Sequence, residues 1–307
     1  MILTVTLNVA LDITYHLERV DWGHVNRVAR HGTRAGGKGI NVARVVTTLG
    51  HTATIAGFAG GATGEAIREE VSRSGIAHHL VAIAGESRRT VAVVEGGRTT
   101  LFNELGPEVS PDEWAEFRET YSKLLRDCGV VVLSGSLPPG LPADAYAVLV
   151  RGAREAGALT LVDTEGAALE HALAAHPDVV KPNVHEIQAL SGRECAEAND
   201  VAAAARWLRD AGARGAVITR GADGMVASND EGTWLGLPPE RLTGNETGAG
   251  DAVAAALAMG LEDGRPWPGP VADAIAAGAA ALMSPVAGDV DLKAYRRFRH
   301  LVRLQEV

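Results

Sequence analysis

Apolar, β-branched runs return along this chain at intervals, with helix-like stretches between them. That alternation constrains the fold more than any other feature. "ILTVTL", "TATIAGF", "VVVL", "LTLV", "DVVK" and "GAVIT" read as strands, and 40–49, 63–74, 111–126, 142–156 and 200–211 read as helices. Strands that are apolar nearly throughout, alternating with helices, predict a mainly parallel sheet covered on both faces. Two stretches break the rhythm. Residues 13–30 show no helical period, and "RTVAVVEGGRTTLFNEL" reads as a hairpin turning at Gly96-Gly97. Together they predict a small β-sheet beside the main body, either a lid or an ordinary edge hairpin. The segment 251–300 reads as mostly helix. At 307 residues the chain is long enough for one large α/β domain or two ordinary ones. With no linker or repeat in view, one domain over 1–307 with a β appendage is the economical reading.

In an open parallel sheet, ligands bind beyond the carboxyl ends of the strands. Asn8, Ser134, Lys181 and Thr219 all fall at such ends. Thr219 leads into a turn with Gly221 and Gly224. The run "TGAGDAVAAALAMG" places Gly248, Ala249 and Gly250 before a helix of small apolar residues, with Asp251 in its first turn. Free N–H groups and the helix dipole favour an anion there, so one loop can hold a negative group and set a carboxylate beside it. Asp in a first turn is equally an ordinary helix-start residue, and the motif alone leaves both readings open.

"RAGGKGIN" sets Gly37 and Lys38 before another helix, with Asn41 one turn in. The glycines allow close approach by a ligand, Lys38 adds a point charge for an anionic group, and Asn41 offers a donor and an acceptor to hydroxyls. A solvated surface lysine is the alternative. Asp12 suits neighbouring sugar hydroxyls, or simply a turn. "KPNVHE" has Asn183 three residues before Glu186. That spacing is a helix-capping pattern, and it also suits two polar groups holding a hydrated Mg²⁺ ion. "AGGKGIN" lacks the Ser or Thr of a Walker loop, and no dinucleotide fingerprint follows the first strand.

A net charge of -9 argues against broad nucleic-acid binding. No apolar run is long enough for a bilayer. Cys128 and Cys195 have neither metal nor disulfide spacing, so a cytoplasmic protein is expected. The ten histidines form no metal-ligand spacing and read as structural or solvated.

Taken together, "AGGKGINVARVV", "SGSLPPG", "KPNVHE" and "TGAGDAVAAAL" resemble the PfkB, or ribokinase-like, carbohydrate kinases in order and spacing. "TLNVALD", "VNRV" and "GPEVS" resemble more narrowly the 1-phosphofructokinase and tagatose-6-phosphate kinase branch. The resemblance implies a doubly wound α/β core with a β lid from about 10–32 and 88–105, able to pair two subunits as a homodimer. It implies ATP and Mg²⁺ as well. Carried over by position, Asp251 is the general base, and Gly248, Ala249 and Gly250 supply the anion hole. Asp12, Gly37 and Asn41 hold sugar hydroxyls. Lys38 and Arg89 meet the sugar's own phosphate, with Arg27 and Asn103 nearby. Asn183 and Glu186 organise Mg²⁺ and phosphate. Lys181, Thr219 and Gly221 lie on the nucleotide side, and Ala276 and Ala279 form an adenine wall.

Three positions depart from the family pattern. Val9 stands where the first motif usually has proline. Val91 stands two residues after Arg89, where the fructose branch often has Asn. Asn245 stands where relatives that bind a monovalent cation carry Asp. The implied activity is transfer of the γ-phosphate of ATP to a hexose phosphate of the fructose 1-phosphate or tagatose 6-phosphate type. The alternatives are a kinase for an unphosphorylated sugar or nucleoside, and a non-catalytic sugar-phosphate sensor.

Overall fold

The structure, a computed structural model, describes residues 1–307 except Gly97, Thr243, Asn245 and Pro285. The expected turn at Gly96-Gly97 and the monovalent-cation position at Asn245 therefore fall partly or wholly outside the described residues.

The chain opens with β1 (Ile2–Thr6), then β2 (Ala10–Leu17), β3 (Arg30–Gly36), α1 (Lys38–Thr48), β4 (Ala53–Gly60), α2 (Gly61–Arg73) and β5 (Ala77–Ile83). The hairpin β6 (Arg88–Glu95) and β7 (Arg98–Asn103) follows, then α3 (Pro111–Leu124), β8 (Val130–Ser134), α4 (Ala145–Glu155), β9 (Leu159–Asp163), α5 (Gly166–Leu173) and β10 (Val179–Val180). The last third holds α6 (Val184–Ser191), α7 (Ala198–Asp210), β11 (Gly215–Thr219), β12 (Met225–Asn229), β13 (Gly232–Leu237), α8 (Ala249–Glu262), α9 (Gly269–Leu282), α10 (Leu292–Arg299) and β14 (Arg303–Glu306).

Ten strands form one sheet in the order β14-β13-β12-β11-β10-β9-β8-β1-β4-β5. It is parallel from β5 through β11 and antiparallel from β11 to β14. Parallel strands bury both faces, and the sequence alternates accordingly. Val130 and Val132 of β8 join the core under α1, α8 and α9, while Val131 and Leu133 join the core under α3, α4 and α7. Strand order reverses at β1, which pairs with β4 on one side and β8 on the other. That switch point opens a crevice at the carboxyl ends of the strands.

The second sheet has order β3-β2-β6-β7. Its outer pairs are antiparallel, but β2 and β6 run parallel, with Asp12 opposite Thr90. This is the doubly wound sheet with a separate lid sheet that was expected. Strand β3 reaches Gly36, four residues beyond the expected lid boundary at 32. The antiparallel edge formed by β12, β13 and β14 was not anticipated. The helix expected over 142–156 starts only at Ala145. Both cysteines are free, and among the described residues no helix is long and apolar enough to cross a membrane.

Candidate active site

The crevice is a cleft of about 1020 Å³ lined by both sheets and by the starts of α1 and α8. Its floor is a buried ion cluster. Asp163, at the end of β9, is 1% exposed, and its Oδ1 accepts from Lys38 Nζ at 3.0 Å. Lys181 Nζ, at 4% exposure, lies 3.2 Å from the other oxygen. Lys38 Nζ also stands 3.9 Å from Glu186 Oε1. Burial works against charge here, yet the Lys181 and Lys38 ammonium groups hold the Asp163 carboxyl below its ordinary value. Burial alone would depress Lys38, but Asp163, Asp251 and Glu186 hold it above the usual lysine range.

Asp251 sits above this floor, 6% exposed, in the first turn of α8. Gly248 precedes that turn in the left-handed region at φ +87, and no side chain caps it. Gly248, Ala249 and Gly250 line the cleft with no capping side chain, as an anion site requires, although Ala249 N also donates to the Glu246 carbonyl at 3.2 Å. Asn41 Nδ2 donates to Asp251 Oδ2 at 2.9 Å, and Arg44 Nη1 donates to Asn41 Oδ1 at 3.4 Å. Burial, helped by the Asp163 carboxylate, pushes the Asp251 carboxyl up to about 6, against Lys38, the Asn41 hydrogen bond and Lys181. A carboxylate poised there can take a proton near neutral pH.

The lid forms the opposite wall. Asp12 of β2 lies against Gly36 and faces the cleft. Burial raises its carboxyl to about 6, with the Arg88 and Arg44 guanidinium groups opposing. Gly37, at φ +110, starts α1 in a conformation that disfavours any side chain, and a Cβ there would stand 2.7 Å from Thr6 Cγ2. The register of β6 settles which arginine faces in. Arg88 and Thr90 line the cleft, whereas Arg89 and Val91 lie on the other face. Arg88 donates to the Asn8 and Glu104 carbonyls at 3.1 and 3.3 Å. Arg89 instead reaches Thr63 Oγ1 at 3.2 Å, and the strand's alternation takes it out of the cleft to which it was assigned. The comparison built on Val91 falls with it, since the residue two after the cleft arginine is Thr90. Asn103 lines the cleft. Arg27 is exposed in the β2–β3 loop, away from this lining.

Thr219 and Gly221, expected on the nucleotide side, line the cleft. So does Ala279, with Ile275, Gly278 and Leu282, one face of α9 at helical spacing. Ala276 does not, being fully buried in the core on another face of that helix. The capping reading of Asn183 and Glu186 is realised: Asn183 Oδ1 accepts from the His185 and Glu186 N–H groups at 2.9 Å. Glu186 Oε2 accepts from Asn183 N at 2.8 Å. Both also line the cleft, and Glu186 Oε1, which the cap does not use, faces Lys38. Among the described residues no three His, Cys, Asp or Glu side chains converge as a metal cage.

Sequence reasoning missed Asp163, Arg88, Thr90 and Ser136. Asp163 and Ser136 carried a signal, for each ends or follows a strand on the edge that already drew attention to Ser134 and Lys181.

Comparison with known proteins agrees with this geometry. Residues 5–292 match the model of the pfkB family carbohydrate kinases. A tagatose-6-phosphate kinase of Staphylococcus epidermidis is 36% identical over 264 residues, covering 85% of each chain. The structure superposes on phosphofructokinase-2 from Escherichia coli, solved in complex with potassium, with a TM-score of 0.92 at 29% identity, over 97% of this chain and 98% of that one. It superposes on a possible 1-phosphofructokinase from Thermotoga maritima with a TM-score of 0.91 at 28% identity, over 100% of this chain and 99% of that one. A parallel sheet with a switch-point cleft, an uncapped glycine-led helix start beside a buried carboxylate, and a family match spanning most of the sequence lead to one conclusion: this chain belongs to the pfkB family of carbohydrate kinases.

Proposed function

We propose that this carbohydrate kinase transfers the γ-phosphoryl group of ATP to a hydroxyl of a hexose phosphate of the fructose 1-phosphate or tagatose 6-phosphate type. The observation that carries the reading is the placement of Asp251. Its carboxylate stands at the uncapped start of α8, in one cleft with Asp12 and Arg88 on the sugar side and Thr219 and Ala279 on the nucleotide side. The similarity to a tagatose-6-phosphate kinase and to a 1-phosphofructokinase supports the substrate class.

In the proposed reaction, the acceptor oxygen attacks the γ-phosphorus as its proton passes to Asp251, and the bond from γ-phosphorus to the β–γ bridging oxygen breaks, leaving ADP. The N–H groups of Gly248, Ala249 and Gly250 stabilise charge on the transferring group, an effect of the oxyanion-hole type. General-base help from Asp251 contributes typically ~10²–10⁴-fold, with positioning and electrostatics supplying the rest. Asp12, Gly37, Asn41 and Asn103 orient the sugar, and the lid sheet excludes water.

Lys38 and Arg88 divide the anionic work. Lys38, expected from the sequence to meet the sugar's own phosphate, is paired with Asp163 and acted on by Asp251, which supports a role at the transferring phosphoryl instead. Arg88 serves the phosphate that the sugar already carries. Glu186 Oε1 and Asn183, through water, suit a Mg²⁺ ion that would neutralise nucleotide phosphate charge, and the absence of a converging acidic cage among the described residues fits an ion held mostly by phosphate and water. Lys181 fixes Asp163 beneath it. The entire span 1–307 then acts as one kinase domain.

The lid also carries the exposed apolar side chains Trp22 (72%), Val25 (81%) and Phe102 (50%), outside the cleft lining. Exposed apolar side chains of this kind suit a second copy of the chain. Arg27, outside its own cleft, would approach a substrate only across such a homodimer. Phosphofructokinase-2 from Escherichia coli is known in a tetrameric inhibited form.

The test is ATP consumption with Mg²⁺ across fructose 1-phosphate, tagatose 6-phosphate, fructose 6-phosphate, free hexoses and a nucleoside. One hexose phosphate should exceed every uncharged acceptor in kcat/KM by ~10²-fold, the contribution expected of one charge-assisted contact of about 3 kcal/mol. A preference for an uncharged acceptor would point to the plain-sugar kinase, and binding without turnover to the sensor.

A further inference from the structure

One ion pair has no part in that chemistry, yet it joins the two walls of the cleft. Arg34 lies on lid strand β3, directly across from Asp12 of β2. Its guanidinium leaves the lid altogether. Nη1 donates to the Ala287 carbonyl at 3.1 Å and Nη2 to Asp289 Oδ1 at 2.7 Å. The stretch it grips, between α9 and α10, packs on the helix start. A Cβ on Gly248 would stand 3.0 Å from Gly288 N and 3.1 Å from Ala287 Cα. A Cβ on Gly288 would stand 2.8 Å from Asn41 Oδ1. Gly248 and Asn41, the two neighbours that locate Asp251 and its anion site, therefore share one wall, and Arg34 fastens that wall to the lid.

We propose that Arg34 is a positioning residue that couples the sugar side of the cleft to the phosphoryl-binding start of α8, so that sugar phosphate and nucleotide bind synergistically. The inference rests on the sugar-kinase reading above. Sugar hydroxyls held by Asp12 fix the position of the β2–β3 pair. Arg34, one register position across, passes that position to Ala287 and Asp289 through a planar two-point fork, which resists the rotation a single contact would allow. The wall then settles against Gly248 and sets the N–H groups that meet the γ-phosphoryl. Asn41 keeps its own bond to Asp251 at 2.9 Å, and Arg44, on which Arg34 and Asp289 act through charge, supports it from the side of α1, so cutting the fork loosens the helix start while the Asn41–Asp251 bond remains.

The experiment uses the full chain and calorimetric titration with a non-hydrolysable ATP analogue and Mg²⁺, with and without the hexose phosphate that the turnover panel identifies. Wild type should bind the analogue at least about fivefold more tightly with the sugar present, and by linkage the sugar should tighten by the same factor with the analogue present. Arg34→Ala and Asp289→Ala should each cut that ratio below about twofold while leaving each ligand's affinity alone within about threefold, and Arg34→Lys should retain part of it. Equal losses from removing a cation and removing an anion separate a mechanical tie from a simple charge effect, which would move nucleotide affinity in opposite directions in the two variants. Three results overturn the proposal: no synergy in wild type, undiminished synergy in either alanine variant, or a common fall in binary affinities and Tm with the ratio intact. Failure of the kinase reading is distinct, because it appears earlier as an absence of sugar-phosphate turnover in the panel.

Discussion

The carboxyl edge of the large sheet and the inner face of the lid carry charge in different ways. At the sheet edge, Asp163 and Lys181 are 1% and 4% exposed and neutralise one another, with Lys38 completing the cluster. On the lid, Arg88 spends its donors on the carbonyls of Asn8 and Glu104 and forms no direct ion pair among the described residues, while the Asp12 and Glu104 carboxylates act on it from farther off. A cation bonded to carbonyls, with carboxylates only at a distance, keeps more of its attraction for an anionic ligand than one held in direct ion pairs. The sheet edge is thus built to stay in place and the lid to recognise.

The comparison breaks first at Asp163. Asp163→Asn strips the buried Lys181 ammonium, and the partly exposed Lys38 ammonium, of their shared partner and should destabilise the fold by about 3–5 kcal/mol, chiefly through Lys181, read from urea unfolding. A loss under about 1 kcal/mol would mean that the cluster is not structural. Next come the adjacent arginines of β6. Arg88→Ala should raise KM for the sugar phosphate about 10–100-fold with little change for ATP, matching the ~1.5–3 kcal/mol of a charge-assisted contact. Arg89→Ala, on the far face, should stay within about twofold. Reversed effects would put the strand register in error.

A pH profile probes both walls at once. Asp251 and Asp12 both have carboxyls pushed up to about 6, and each acts as the ionised form. Activity should therefore be full above that pH and lost as pH falls through it. With both groups required ionised, kcat/KM for sugar phosphate should drop roughly 30-fold between pH 6 and 5. A flat profile to pH 5 would place both groups in a more solvated setting.

What the sequence disclosed follows the same division. Strands buried on both faces read plainly, because "VVVL" and "GAVIT" admit no helical alternative at that length. Every residue of β2 beyond Ala10 is half-buried, so no period-two contrast marked it, and residues 13–30 showed only an absence of helix. Two adjacent arginines, Arg88 and Arg89, must point to opposite faces, and only the pairing of β6 with β2 decides which faces Asp12. The assignment to Arg89 failed for that reason. Helix α9 is apolar on nearly every side, so its phase could not be read, and Ala279 was identified along with Ala276, which faces the core. The edge strands β12 to β14 are short and mixed, and their pairing is settled by the C-terminal segment folding back onto Trp234–Leu237. The glycine-led loops were legible because their constraint is local: Gly37 and Gly248 both adopt positive φ, as turns that admit a ligand require.

The account turns on the carboxylate at position 251, and single-turnover phosphoryl transfer by Asp251→Asn tests it most directly. The cluster around it has three carboxylates, Asp163, Glu186 and Asp251, against two ammonium groups, Lys38 and Lys181. Unlike Asp163, Asp251 makes no ion pair among the described residues, and burial and the Asp163 carboxylate already disfavour its charge, so neutralising it should leave the protein folded, with a Tm no lower than wild type. We expect this variant to bind the ATP analogue normally and to transfer phosphate ~10²–10⁴-fold more slowly. Transfer at the wild-type rate, with nucleotide and sugar phosphate both bound, would contradict the assignment of Asp251 as the base.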